Sequence, residues 1–149
     1  MKAGFQNEFL DVRTRDGLND VLLSPLLYSA ANGKLYRAPR GGTTDGLSVP
    51  AAVQMVIPAV GDADWWSGVI HDSAYRNQLQ VWSDAADDWV LANLVQATAD
   101  NLILEAMESQ GVGYFKRHTI YRALRMFGAI AFKENHSLAG SQRNQLIKL

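Results

Sequence analysis

The Asn32-Gly33 step constrains the fold of this chain most, because it stands between two short strand-like segments, Leu26-Leu27-Tyr28 and Lys34-Leu35-Tyr36. Asn-Gly between two such segments is a strong local signal for a β-hairpin. A second turn signal, Asp16-Gly17, lies upstream. We therefore expect residues 8–40 to form a small antiparallel sheet.

Beyond the sheet, the spacing of apolar residues becomes helical. The predicted helices run from Pro50 to about Pro58, from Asp62 to about Gln78, from Ser83 to about Gln110 and from Tyr114 to about Lys133. A small N-terminal sheet followed by three or four packed helices is an α+β fold. We expect one domain over residues 1–135 and a polar tail over residues 136–149.

The 149 residues contain no cysteine, which excludes disulfides and thiolate chemistry. No apolar stretch reaches the roughly 18 residues of a transmembrane helix, so we expect no membrane span. The net charge of −1 hides an asymmetry, since residues 1–44, 45–110 and 111–149 carry about +2, −9 and +6. Either these segments neutralise one another across the fold, or an acidic site prefers a cation and a basic surface meets an anionic partner.

His71 is the first candidate for chemistry. On the helix from Asp62, His71 and Tyr75 lie four residues apart and share a face. Asp72 points about 100° away around the axis, toward an adjacent loop. On spacing alone, a histidine like this is most often a satisfied side chain at the edge of the core.

Asp100 is the predicted partner of His71. The helix from Ser83 can return antiparallel to the His71 helix, and the small Ala99 beside Asp100 allows close approach. Asp100 would then accept a hydrogen bond from the His71 ring, fixing its tautomer and raising its basicity. The alternative is a solvated helix aspartate. Three other acidic residues read as charges in the first turn of that helix; they are Asp84, Asp87 and Asp88.

Asp45 and Ser48 follow a glycine-rich loop and allow two interpretations. Asp45 is either part of a plain turn or a second carboxylate and metal ligand near His71. Ser48 is either a helix-entry residue or part of the site, but it lacks the nucleophile-elbow pattern of a serine hydrolase. The histidines lack the spacing of a zinc site.

Four segments together resemble a phage and prophage protein family of unknown function. They are Thr44-Asp45-Gly46-Leu47-Ser48-Val49-Pro50, Val69 to Arg76, Ala99-Asp100 through Gly111-Val112, and Ile120 to Gly128. The resemblance spans about residues 36–128. It implies a phage origin more directly than it implies a reaction.

The step His71-Asp72-Ser73-Ala74-Tyr75 with a later Ala99-Asp100 also resembles the active-site helices of phospholipase A2, particularly the short form of parvovirus capsids. This resemblance implies that His71 is the general base, that Asp100 orients its ring, and that Asp72 binds Ca²⁺. Carbonyl groups of residues 41–46 would complete the coordination of the ion, which would polarise an ester carbonyl.

The leading hypothesis is therefore a virion or tail-associated accessory protein with a phospholipase A2-like site, made in the host cytoplasm. Its expected partners are other phage structural proteins or further copies of itself, with lipid as the substrate. One rival is a purely structural assembly protein in which His71 only ties helices together. A weaker rival is a host-directed inhibitor that acts by binding.

The last predicted helix carries a basic face formed by His118, Arg122 and Arg125. The simplest interpretation is a solvated face, and the alternative is contact with an acidic neighbour or nucleic acid. Because no stacking positions or known motif accompany the basic residues, we do not expect nucleic acid as the partner.

Overall fold

The computed structural model describes residues 2–14, 20–44 and 65–137. The strands are β1 (Gly4–Phe5), β2 (Val12–Thr14), β3 (Asp20–Leu22), β4 (Leu26–Ser29), β5 (Leu35–Ala38), β6 (Thr43–Thr44), β7 (Gln80–Ser83) and β8 (Asp88–Leu91). The helices are α1 (Trp65–Tyr75), α2 (Gln96–Ser109), α3 (Tyr114–Phe127) and α4 (Ala129–Ser137). An antiparallel sheet region followed mainly by helices confirms the predicted α+β class.

Five strands form the larger sheet in the order β1-β4-β5-β7-β8, with every neighbouring pair antiparallel. The predicted hairpin is its β4–β5 pair, in which Tyr28 lies opposite Tyr36. Gly33 has a φ of +84°, a backbone conformation that glycine adopts without strain. The smaller sheet has the order β2-β3-β6.

The helix predicted from Ser83 to Gln110 is wrong over nearly its first half, residues 83–95. A hairpin of β7 and β8 occupies that part, and the helix begins only at Gln96. Trp82 lies opposite Trp89 across the hairpin, with ring centroids 5.6 Å apart, and such cross-strand aromatic pairs favour strand pairing. Asp87 has a φ of +48° in the connecting turn, which aspartate tolerates better than most residues.

The acidic residues near this hairpin are therefore turn and strand residues, not charges at a helix start. The predicted last helix is divided at Gly128 into α3 and α4. The Asp16-Gly17 turn and the short helix from Pro50 lie outside the described residues.

Helix α1 lies at the centre of the molecule, and every residue from Ser67 to Tyr75 is buried. It contacts β5 and β6 on one side and α2 and α4 on others. One apolar cluster surrounds it, including Tyr28, Ile70 and Leu79, and a second joins α2 to α3 through Ile103 and Met107. A polar residue on α1 is thus held inside the fold, where an unmade hydrogen bond is costly. None of the helices in the described residues is long and apolar enough to cross a bilayer.

Candidate active site

Helix α1 places His71 and Tyr75 together, as their four-residue spacing predicts. Their rings are 3.9 Å apart between centroids and tilted by 40°. Both side chains are buried, and they face α2 across the interface between the two helices. The hydroxyl of Tyr75 and the imidazole of His71 therefore point toward the same partner.

That partner is Asp100 of α2, whose side chain is fully buried. His71 Nε2 lies 3.3 Å from Asp100 Oδ1, and the Tyr75 hydroxyl donates to the same oxygen at 2.6 Å. Arg125 of α3 donates from Nη1 to the other oxygen, Oδ2, at 2.9 Å. The Asp100 carboxylate of α2 therefore binds side chains from two other helices, α1 and α3.

These contacts keep the carboxyl group of Asp100 ionised. Burial alone would raise the pKa of Asp100, but hydrogen bonds from His71, Tyr75 and Arg125 outweigh it and hold the pKa below its ordinary value. Burial, followed by the hydrogen bond to Asp100, raises the pKa of Tyr75 well above its usual range. At neutral pH, Tyr75 is therefore a donor and Asp100 an acceptor.

An ionised Asp100 also fixes the tautomer of His71. A carboxylate can only accept, so the ring nitrogen that faces it, Nε2, must carry the hydrogen. Nδ1 then holds the free lone pair of the neutral ring. Among the described residues, none hydrogen-bonds to Nδ1. The arrangement presents an oriented base, which is the structural requirement for abstracting a proton from water.

Asp72 faces away from Asp100, toward β6. Its Oδ2 accepts a hydrogen bond from the Thr44 hydroxyl at 2.6 Å, inside the protein. The next turn of α1 is joined to the same strand, because Arg76 Nη1 donates to Thr43 Oγ1 at 2.6 Å. Asp72 was predicted to point toward an adjacent loop; the segment that it contacts is strand β6. Asp45 and Ser48 lie outside the described residues.

The residues around Asp72 fit a hard cation in the chemistry of their donors. Asp72 supplies a buried carboxylate and Thr44 a hydroxyl oxygen, and Ca²⁺ is bound by oxygen ligands. Within residues 2–14, 20–44 and 65–137, no group of three or more His, Asp or Glu side chains has the arrangement of a metal site.

Gly128 allows α3 and α4 to approach the site closely. An added Cβ would overlap the Tyr75 hydroxyl and the Leu124 carbonyl, and would lie 3.2 Å from Gln96 Nε2. Gln96 donates to the Tyr75 oxygen at 3.4 Å and to the Leu124 carbonyl at 3.3 Å. The absence of a side chain at this glycine therefore makes room for the outer part of the hydrogen-bond network.

Replacing Gly128 by Ala is expected to lower the free energy of unfolding by about 1–2 kcal/mol. Overpacking costs about 1–3 kcal/mol of stability, and the higher helix propensity of alanine offsets part of that loss. Urea unfolding measures the change. The matched control is Gly4→Ala, because a Cβ at Gly4 meets nothing within 4 Å. Equal stability of Gly128→Ala and the wild type would contradict the close approach.

Arg125 and Gln96 are the site residues that sequence reasoning missed. Arg125 was interpreted as part of a basic face, although its side chain, 38% exposed, reaches inward to Asp100. The only sequence signal is its position directly after the apolar pair Ala123-Leu124. No feature of the sequence pointed to Gln96, because the helix predicted from Ser83 to Gln110 placed it near the middle of the helix.

Comparison with known proteins gives one match. A family model described as a protein of unknown function, DUF1353, matches residues 21–124. No curated protein and no solved structure matches the chain. The matched segment includes α1, α2 and most of α3, and therefore His71, Asp72, Tyr75 and Asp100.

Proposed function

We propose that this chain, which belongs to the DUF1353 family of proteins of unknown function, is an ester hydrolase that uses His71 as its general base. The observation that carries the proposal is the contact between His71 Nε2 and the fully buried carboxylate of Asp100. A buried carboxylate with two further donors supports one ring orientation and one tautomer. Ester lipid is the proposed substrate, in keeping with the resemblance to phospholipase A2.

In the proposed reaction, His71 Nδ1 takes a proton from a water molecule as the water oxygen attacks the ester carbonyl carbon. Asp100 stabilises the resulting imidazolium through Nε2–H. The proton on Nδ1 then passes to the leaving alkoxide oxygen as the ester C–O bond breaks, giving a carboxylic acid and an alcohol. Tyr75 and Arg125 hold Asp100 in place and are positioning residues.

Asp72 is proposed to hold Ca²⁺ together with Asp45 and oxygen atoms of residues 41–46. The ion, when bound, would polarise the ester carbonyl. The hydrogen bond from Thr44 supports this role for Asp72, because it fixes one carboxylate oxygen toward β6. Asp72 and Asp100 therefore have separate proposed tasks on opposite sides of α1.

The test is hydrolysis of an ester phospholipid in mixed micelles, with Ca²⁺ supplied or removed by a chelator. We expect the wild type to hydrolyse the lipid, and removal of Ca²⁺ or Asp72→Asn to lower the initial rate about 10²-fold or more. Asp87→Asn is the matched control, because Asp87 is exposed and asparagine also tolerates its positive φ.

The outcomes separate the parts of the proposal. A wild-type protein without activity in either condition would refute the hydrolase. Equal rates with and without Ca²⁺ would remove the calcium role and leave the His71 mechanism standing. Equal rates for Asp72→Asn and Asp87→Asn would remove the role of Asp72.

The biological setting that we propose is a virion or tail-associated accessory protein of a phage, made in the host cytoplasm. It rests on the resemblance of the motifs around residues 44–50, 69–76 and 99–112. A structural assembly protein is the second candidate, and one observation favours it: Asp100 joins α1, α2 and α3 and would stabilise the fold without any reaction. Absence of hydrolysis together with incorporation into particles would favour this candidate.

A further inference from the structure

Large apolar side chains are exposed on α3 and just beyond it. Phe115 is 86% exposed, Met126 72% and Ile130 71%, while Tyr114 and Phe127 are 60% and 48% exposed. Scattered exposed apolar residues are normal, but several large ones within one short segment indicate an interaction surface.

Helix geometry places the most exposed residues of α3 on one stripe. At about 100° per residue, Arg122 and Met126 fall within about 20° of Phe115 around the axis. The opposite side packs into the protein through Ile120 and Leu124, both buried. We call the stripe of Phe115, Arg122 and Met126 the outer face of α3. It extends about 16 Å along the axis.

The charge of α3 restricts the partner. The helix contains no acidic residue and four basic ones, which are Lys116, Arg117, Arg122 and Arg125. Arg117 is paired with Glu108 and Arg125 with Asp100, while Arg122 is exposed between Phe115 and Met126. Apolar side chains flanking a basic centre are complementary to a surface that is anionic outside and apolar beneath.

We propose that the outer face of α3 docks on the surface of an anionic lipid bilayer. Phe115 and Met126 would enter the boundary between headgroups and acyl chains, and Arg122 would contact the phosphates. This inference rests on the proposed function, because it names the physical form of the substrate: ester lipid packed in an anionic surface. Arg125 connects the two regions, since the helix that would lie on the bilayer also contacts Asp100.

Two other partners fit the outer face less well. Nucleic acid would use basic residues and aromatic stacking; Phe115 offers one ring, but Met126 and Ile130, each more than 70% exposed, offer neither a charge nor a ring. A second copy related by a two-fold axis would bring Arg122 of each chain close together, and like charges repel. A lipid surface satisfies both the apolar and the basic residues.

The test is sedimentation of the protein with vesicles of ether-linked phosphatidylcholine, with or without ether-linked phosphatidylglycerol. Ether lipids have no ester to hydrolyse, so binding is measured apart from activity. We expect wild-type binding to vesicles that contain phosphatidylglycerol. Phe115→Ala/Met126→Ala should weaken it about tenfold or more, and Arg122→Gln about fivefold. The matched controls are Phe9→Ala and Lys34→Gln, because Phe9 is 68% exposed and Lys34 is exposed in the β4–β5 turn.

The results separate this inference from the proposed function. Vesicle binding that needs Phe115 and Met126, by a protein without hydrolase activity, would support the docking face and refute the enzyme. Hydrolysis of dispersed esters without vesicle binding would support the enzyme and overturn the docking face. Docking on lipid would be overturned by equal binding of Phe115→Ala/Met126→Ala and Phe9→Ala. It would also be overturned by duplex DNA binding that depends on Arg122, or by a dimer that depends on Phe115, if no vesicle binding accompanies them.

Discussion

Replacing His71 by Asn is expected to lower the rate of ester-lipid hydrolysis by about 10²–10⁴-fold. This is the usual contribution of a positioned general base, and asparagine cannot accept a proton at neutral pH. The free energy of unfolding should fall by only about 1–2 kcal/mol, since within the described residues the ring makes one hydrogen bond, to Asp100. Initial rates in mixed micelles with Ca²⁺ and urea unfolding of the same preparation measure the two effects.

The control for this experiment is Glu105→Gln. Glu105 Oε1 accepts hydrogen bonds from the Tyr28 hydroxyl at 2.8 Å and from the Ala31 amide at 3.0 Å. The substitution weakens hydrogen bonds of α2 without touching His71, so it should lower stability and leave the hydrolysis rate unchanged. If His71→Asn keeps the wild-type rate, His71 is not the base, and its contact with Asp100 only joins helices.

The part of the site that could be predicted from sequence is set by local helix geometry. His71 and Tyr75 lie on one face because they are four residues apart, whatever the rest of the chain does. The pairing with Asp100 was also predicted, although the predicted helix had the wrong start. The wrong start does not affect this pairing, because Asp100 lies beyond Gln96, in the part of the segment that is helical.

The β7–β8 hairpin could not be predicted from the same local signals. The stretch Ser83 to Asp88 contains three aspartates, which suit the start of a helix as well as a turn. The choice depends on a distant part of the chain, because β7 pairs with β5, where Tyr36 lies opposite Val81. A pattern read within about 18 residues does not include that partner.

The remaining contacts of the site are equally nonlocal. Arg125 reaches Asp100 from 25 residues away, and Thr44 reaches Asp72 from 28. From the sequence alone, Arg125 could equally be a solvated arginine and Thr44 a turn threonine, and both are common. Arg125 contacts Asp100 only because α3 packs on α2, and Thr44 contacts Asp72 only because β6 packs on α1.

Replacing Asp100 by Ala is expected to lower the free energy of unfolding by about 3 kcal/mol. The substitution removes the acceptor for His71 and Tyr75, and leaving buried donors unpaired costs about 1–3 kcal/mol each. Arg125 contributes less, because its exposed side chain can turn to water. Asp100→Asn keeps one acceptor oxygen, so its free energy of unfolding should fall by only about 1–2 kcal/mol. Urea unfolding at neutral pH measures both, with the exposed Asn101→Ala of the same helix as the control.

The pH dependence of the stability lost in Asp100→Asn tests whether the ionised carboxylate is the cause of that loss. Because the folded pKa of Asp100 is lower than its ordinary value of 3.8, its ionised form stabilises the folded state above that pH. This stability is lost as the pH falls below 3.8 toward the folded pKa. The stability difference between the wild type and Asp100→Asn should therefore be constant at neutral pH and shrink in acid. A difference that stays constant down to the acid transition would mean that the ionised carboxylate does not carry the effect, and that its packing in the helix interface does.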